Sequence, residues 1–202
     1  MDKVLSIIIP TYNMEKYLNK CLDSLLVPNM DLLEVLVIND GSKDRSSEIA
    51  HEYEKKYPGV FRVIDKENGN YGSCINRGLK EATGKYVKVL DADDSFDSKA
   101  FERYLDELKS VDVDLILTDF ITVDVDDNQI RRYKYNLQPG IVSNFKELFK
   151  SGYINFHIDM HAVTYKLQNL IDMKYSQTEG ISYTDMEWCF TPMTKVSSGL
   201  YL

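Results

Sequence analysis

A chain of 202 residues with 44% hydrophobic content is long enough to bury a core of its own and too apolar for extended disorder. Its 24 lysines and arginines against 32 aspartates and glutamates leave a formal charge of −8, and no stretch concentrates basic residues with aromatics in the way a phosphate-backbone binder would, which argues against a nucleic acid partner. The longest apolar runs, residues 4–9 and 32–38, are broken by Ser6 and Glu34 and fall well short of the roughly 20 residues that cross a bilayer, so no transmembrane segment is expected.

In chain order, four short apolar runs at residues 4–9, 33–38, 61–64 and 86–90 alternate with amphipathic stretches, which predicts βαβ units and a mainly parallel, doubly wound sheet. Between them, Tyr17, Leu18, Cys21, Leu22 and Leu25 recur at helical spacing, as do Ile49, Ala50 and Tyr53, and then Ile75, Leu79 and Ala82. Gly84 is expected to end the third helix as its C′ residue. Asp97 or Ser98 should cap a fourth helix to about Lys109, and residues 115–123 read as a further strand. Asp126-Asp127-Asn128 then marks a turn between residues 120–125 and 130–135, so a hairpin is expected to interrupt the βαβ rhythm. Residues 143–150 and 183–195 are helix candidates, and residues 199–202 look like the start of a strand. Cys21, Cys74 and Cys189 are widely spaced, lie in helical patterns and form no CxxC pair, so they are expected as reduced core residues.

Ligands of open parallel sheets bind beyond the carboxyl ends of the strands. In this chain the four strands run in turn into Pro10-Thr11-Tyr12-Asn13, Asn39-Asp40-Gly41-Ser42, the segment from Asp65 to Gly72, and Asp91-Ala92-Asp93-Asp94. One such loop could be turn chemistry alone; four at one edge point to a site. There is no Gly-x-x-x-x-Gly-Lys or GxGxxG run to cradle phosphate directly. Clustered aspartates suit an anionic ligand when a hard divalent cation, Mn²⁺ or Mg²⁺, bridges the two. On an extended segment Asp91 and Asp93 would point to one side, with Ala92 packed behind.

The motifs VLSIIIPTYN (residues 4–13), VINDGS (37–42), NGNYGSCINRGLKEATG (68–84), YVKVLDADD (86–94) and TDMEW (184–188), in that order, resemble those of the family 2 glycosyltransferases. The resemblance implies an α/β GT-A fold, a Rossmann-like mainly parallel sheet flanked by helices with a smaller mixed second half. It implies a nucleotide-sugar-binding half over residues 1–110 and an acceptor-binding half over 111–202, fused in one domain. It further implies an inverting enzyme that moves a sugar from a nucleoside diphosphate sugar, UDP-linked, to a carbohydrate or lipid-linked acceptor. Pro10, Thr11 and Tyr12 would line the nucleoside pocket, Asp40 would accept from the base, and Asp65 and Asn68 would lie nearby. Asp91 and Asp93 match the family's DxD, the first on the ribose or the metal's water and the second on the metal; Asp94 would be an auxiliary acid or a helix cap. Asp185 would be the general base, although Thr184 stands where members usually carry Glu.

On residues alone, Asp185 could equally cap a helix. The acids would also serve a nucleotidyl or phosphoryl transferase, or a nucleotide-sugar binding module without turnover. Asp124 to Asn128 imitates a calcium loop, but Gln129 and Tyr135 replace its glycine and its final acid. His157 and His161 would share one face of a helix, with structural or acceptor-pocket roles. Met1-Asp2-Lys3 leads straight into the first run, so no secretory leader is expected, and cytoplasmic residence follows, at the inner face of the membrane if the acceptor is lipid-linked. Family members usually continue past the matched segment, so more chain is expected after Leu202, bringing peripheral membrane contact with it.

Overall fold

The computed structural model describes residues 2–124, 126–146 and 158–202. Four parallel strands, β1 (Leu5–Thr11), β2 (Leu33–Asn39), β3 (Phe61–Asp65) and β4 (Tyr86–Val89), alternate with helices α1 (Leu18–Asp23), α2 (Ser46–Lys56) and α3 (Asn70–Glu81). After α4 (Ser98–Ser110) come β5 (Leu115–Leu117), the hairpin β6 (Phe120–Val123) and β7 (Gln129–Tyr133), then β8 (Ser143–Asn144), β9 (Val163–Lys166), α5 (Leu167–Asp172), α6 (Asp185–Phe190) and β10 (Ser198–Tyr201). The main sheet has the order β3-β2-β1-β4-β9-β5-β10-β8, and β6 and β7 pair separately.

The strands are mostly apolar because both sheet faces are covered, with single polar residues, Ser6, Glu34, Arg62 and Lys88, set among the apolar ones. Successive residues of β1 alternate between two cores: Leu5, Ile7 and Ile9 pack with Leu22, Leu105 and Phe101, whereas Ile8 packs with Ile75 and Trp188. All three cysteines are buried and free, as expected. The Asp97 side chain accepts a 2.8 Å bond from Ala100 N and so caps α4, and the hairpin stands where the turn signal placed it.

Several expectations change. Residues 115–123 form two strands rather than one, because β5 pairs in the main sheet and β6 only with β7. Strand β9, which carries no long apolar run, inserts antiparallel between β4 and β5. Gly84 is not a left-handed C′ residue: α3 ends at Glu81, and Gly84 is needed because a Cβ there would lie 2.6 Å from Ser6 N. The helix expected over 183–195 is a six-residue α6 followed by a 3₁₀ turn that opens on Pro192. Of the helix expected at 143–150, the first two residues are β8, and residues from 147 on, like His157, lie outside the described ones.

Candidate active site

The first two strand-end loops are tied to each other. Asn13, at φ +57°, donates from N to Ser42 Oγ (3.1 Å) and accepts from Lys43 N at Oδ1 (2.8 Å), and Met14 N donates to Ser46 Oγ (2.7 Å). Gly41 turns with φ +73°, a left-handed conformation that a side chain would strain. Against this frame, Tyr12, Gly41, Asp65, Lys66 and Asn68 line a cleft of about 610 Å³. Pro10 and Thr11, the residues before Tyr12, are buried inside β1 and are not among the residues that line the cleft, and Thr11 O accepts from Asp40 N (2.8 Å).

Asp40 is only 3% exposed. Its Oδ1 accepts from Lys66 Nζ and from Gly69 N (3.0 Å), and its carbonyl accepts from Asn68 Nδ2 (3.0 Å). The Lys66 ammonium also donates to Ser73 Oγ (2.9 Å), so one cation ties the ends of β2 and β3 to the first turn of α3. Nothing in the sequence singles Lys66 out from other lysines. Asp65 accepts from Asn39 Nδ2 (2.6 Å), Ser47 Oγ (2.9 Å) and His51 Nε2 (2.8 Å). Burial alone would raise its pKa, but the bonds from Asn39, His51 and Ser47 outweigh it and hold the carboxyl below the usual range.

The acid cluster at the end of β4 is a turn rather than an extended strand: Asp94 N donates to Asp91 O at 3.0 Å. A turn brings its first and fourth residues side by side. Asp91 and Asp94 therefore converge, while Asp93 sits exposed at the tip. His161, in the turn before β9 and not on a helix, completes the cluster, with one ligand atom each from Asp91, Asp94 and His161 all within 4.8 Å of one another. His161 Nδ1 lies 3.0 Å from Asp94 Oδ2. Tyr71 Oη donates to Asp91 Oδ1 (2.7 Å). Burial pushes the Asp91 carboxyl up to about 6; repulsion from Asp94 and Asp93 adds to the rise, and the Tyr71 bond and His161 oppose it. For His161, burial favours the neutral ring, but Asp94 and Asp159 prevail and raise its pKa.

Lys88 reaches the same place from within β4. The β4–β9 ladder ends at Val87–Tyr165, and beyond it the buried Lys88 ammonium donates to His161 O (2.7 Å) and Val163 O (3.2 Å). It thereby fixes the backbone that carries the imidazole. Burial lowers its pKa to about 7, against the pull of Asp94 and Asp159.

Asp185 opens α6, half-buried. The segment before it is stapled to α3. Asn76 Nδ2 donates to Gln177 O (2.9 Å), Gln177 N donates to Asn76 Oδ1 (2.8 Å), and Gln177 Nε2 donates to Thr184 O and Oγ1 (2.8 and 2.6 Å). Thr184 makes no side-chain cap, its hydroxyl being engaged by Gln177. Burial pushes the Tyr71 hydroxyl well above its ordinary pKa, and the negative charges of Asp91, Asp185 and Asp94 add to the rise. Tyr71 thus feels both the acid cluster and Asp185. Of the residues expected from sequence, Tyr12, Asp65 and Asn68 share the cleft, Asp91 accepts from Tyr71, and Asp40 is turned inward onto Lys66.

A doubly wound sheet with acidic residues gathered at the carboxyl ends of its strands is the GT-A arrangement. The family model "Glycosyl transferase family 2" matches residues 6–170, and the chain belongs to that family. It is 39% identical over 116 residues to the uncharacterized glycosyltransferase EpsJ of Bacillus subtilis (strain 168), a match covering 57% of this chain and 33% of that one. It is 40% identical over 111 residues to the uncharacterized glycosyltransferase YibD of Escherichia coli (strain K12), covering 55% of this chain and 32% of that one. The chain therefore matches about a third of the length of these curated relatives. Among solved structures, Staphylococcus aureus TarS 1–349 in complex with UDP-GlcNAc superposes with a TM-score of 0.77 at 21% identity, over 98% of this chain and 56% of that one. The mannosyltransferase PcManGT from Pyrobaculum calidifontis, in complex with GDP-Man and Mn²⁺, superposes with a TM-score of 0.68 at 15% identity, over all of this chain and 55% of that one. At these identities the likeness establishes the fold.

Proposed function

We propose that this chain carries the core of an inverting glycosyltransferase that moves a sugar from a UDP-linked donor to an acceptor hydroxyl. The observation that carries the reading is the Asp91–Asp94–His161 cluster at the end of β4, bonded to Tyr71, at the same sheet end as the cleft lined by Tyr12, Asp65 and Asn68. The UDP and UDP-GlcNAc complexes of TarS support the choice of donor. Tyr12, Asp65 and Asn68 wall the nucleoside. Lys66 and Asp40 brace the loop that carries Asn68.

Two carboxylates and an imidazole within 4.8 Å fit Mn²⁺ or Mg²⁺ as cofactor, and a cation there would offset the repulsion between Asp91 and Asp94. Asp91, Asp94 and His161 would hold the ion, and Asp93, on the same turn, is the acid the family pattern assigns to it. When bound, the cation neutralises charge on the departing diphosphate. Asp185 takes the proton of the acceptor hydroxyl as that oxygen attacks the anomeric carbon opposite the leaving nucleotide; the bond to the diphosphate breaks and the configuration inverts. We place the reaction in bacterial surface polysaccharide or glycolipid assembly at the inner face of the membrane, in keeping with a relative named as a minor teichoic acid biosynthesis protein. Among the described residues no helix is long and apolar enough to cross that membrane.

Calorimetry of UDP with Mn²⁺, on the wild type and on Asp93→Ala and His161→Ala, tests the donor site. Affinity that no variant and no chelator alters would overturn it. Asp185→Asn should slow transfer by about 10²–10⁴-fold, the usual contribution of a general base, and equal UDP release by both proteins would remove Asp185 from that role.

A further inference from the structure

We propose that Tyr183 is the platform on which a pyranose ring of the acceptor stacks, which makes the acceptor a carbohydrate at the point of attack. The inference rests on the glycosyl-transfer reading above and narrows its substrate class. Tyr183 adopts φ +62°, a left-handed backbone that is disfavoured for a bulky residue and persists where the surroundings impose it. Here they do. On one side Gln177 and Thr184 are buried and bonded to each other; on the other, Thr178 N donates to Glu187 Oε2 (2.8 Å) and Gly180 N to Gly69 O (3.3 Å).

This frame does not use the ring. Tyr183 is 91% exposed, the most exposed of the large hydrophobic residues described, and it stands two positions before Asp185. Glycine or asparagine would take the same backbone with less strain and without presenting an aromatic surface to water. A ring held out beside the residue that must meet an acceptor hydroxyl suits a sugar, whose C–H face packs on an aromatic face while its hydroxyls stay polar. Ile181 and Met186, each about half exposed, are the neighbours that an alkyl chain would prefer instead.

The test measures transfer from UDP-sugars, with Mn²⁺, to methyl pyranosides and to the matching n-octyl pyranosides, with saturation-transfer NMR of the methyl pyranosides on the protein loaded with UDP and diamagnetic Mg²⁺. Tyr183→Ala and Tyr183→Asn should both raise the acceptor KM about five- to tenfold for both probe series, with the donor KM shifted less than twofold. Tyr183→Phe should restore the wild-type value within about twofold. Asparagine relieves the backbone without supplying a ring, so recovery in Tyr183→Asn would overturn the inference, as would an unchanged KM or absent saturation transfer. Loss confined to the octyl series would assign the ring to a lipid tail and overturn it too. Failure of the wild type to release UDP from any UDP-sugar would sink the parent reading and this inference with it.

Discussion

Gly72 lies in the first turn of α3, where an added Cβ would meet Thr178 O at 2.0 Å and Thr178 C at 2.9 Å. Both are backbone atoms and no side-chain rotation relieves them, so Gly72→Ala must push residues 177–179 away by about 1 Å or more, given close packing. Overpacking of this kind costs about 1–3 kcal/mol. Alanine's better helix propensity returns about 1 kcal/mol, leaving a net loss of up to about 2 kcal/mol. At about 2–4 °C per kcal/mol for a chain of this size, Tm should fall by up to about 8 °C. The larger consequence is catalytic, because the displaced segment holds Thr184 through Gln177, and Thr184 precedes Asp185. A misplacement of about 1 Å at a reacting group can cost about 10²-fold in rate. UDP-sugar turnover should be measured well below the variant's Tm and compared with Gly78→Ala. The three atoms nearest that Cβ would be side-chain carbons of Ile8, at 2.5, 2.7 and 2.8 Å, so it should lower Tm while sparing turnover. Turnover of Gly72→Ala within twofold of wild type, whatever its Tm, would refute the link from α3 to Asp185.

Three further outcomes are expected at the site. Lys66→Met strands the buried Asp40 carboxylate and should cost about 3–5 kcal/mol by denaturant unfolding, most of it recovered in the Lys66→Met, Asp40→Asn double variant; equal losses in the single and double variants would contradict the pairing. Asp91→Asn removes one of three crowded negative charges and should raise Tm in chelator by about 2–4 °C while abolishing the Mn²⁺ enhancement of UDP binding. The bonds of His51 to Asp65 and Glu54 raise its pKa, so the stability these contacts add is fully present below the unfolded histidine value near 6.5 and is lost as pH rises through the folded one. His51→Gln should therefore lower Tm by about 1–3 °C at pH 6 and by nothing measurable at pH 9, these being exposed pairs.

The first four strands and the loops after them were legible because their information is local. Each strand is a short, mostly apolar run, and the polar residues after it fall at one edge by the geometry of parallel sheets alone. The acid cluster was legible in composition but not in shape. Asp91-Ala92-Asp93 on an extended strand puts Asp93 beside Asp91, whereas the turn bonded from Asp94 N to Asp91 O brings Asp94 there instead. His161 was read against His157 at helical spacing; its partners in space lie about 70 residues upstream and become neighbours only because β9 inserts beside β4. Lys66, Lys88 and His51 carry no sequence signal for the same reason. A lysine that donates to buried carbonyls and one that waves in solvent are written with the same letter, and what separates them is a strand pairing formed at long range.

The stapling of residues 177–184 onto α3 bears on how such a protein can diversify. The residues that fix the frame, Asn76, Gln177, Thr184 and Glu187, bond inward, while Ile181, Ser182 and Tyr183 at its tip face solvent. Substitutions at the tip leave the frame's hydrogen bonds intact and Asp185 in place, so, on the function proposed above, a lineage can exchange one acceptor for another while the frame stays folded. Divergence among relatives should concentrate at 181–183 and spare the four anchors.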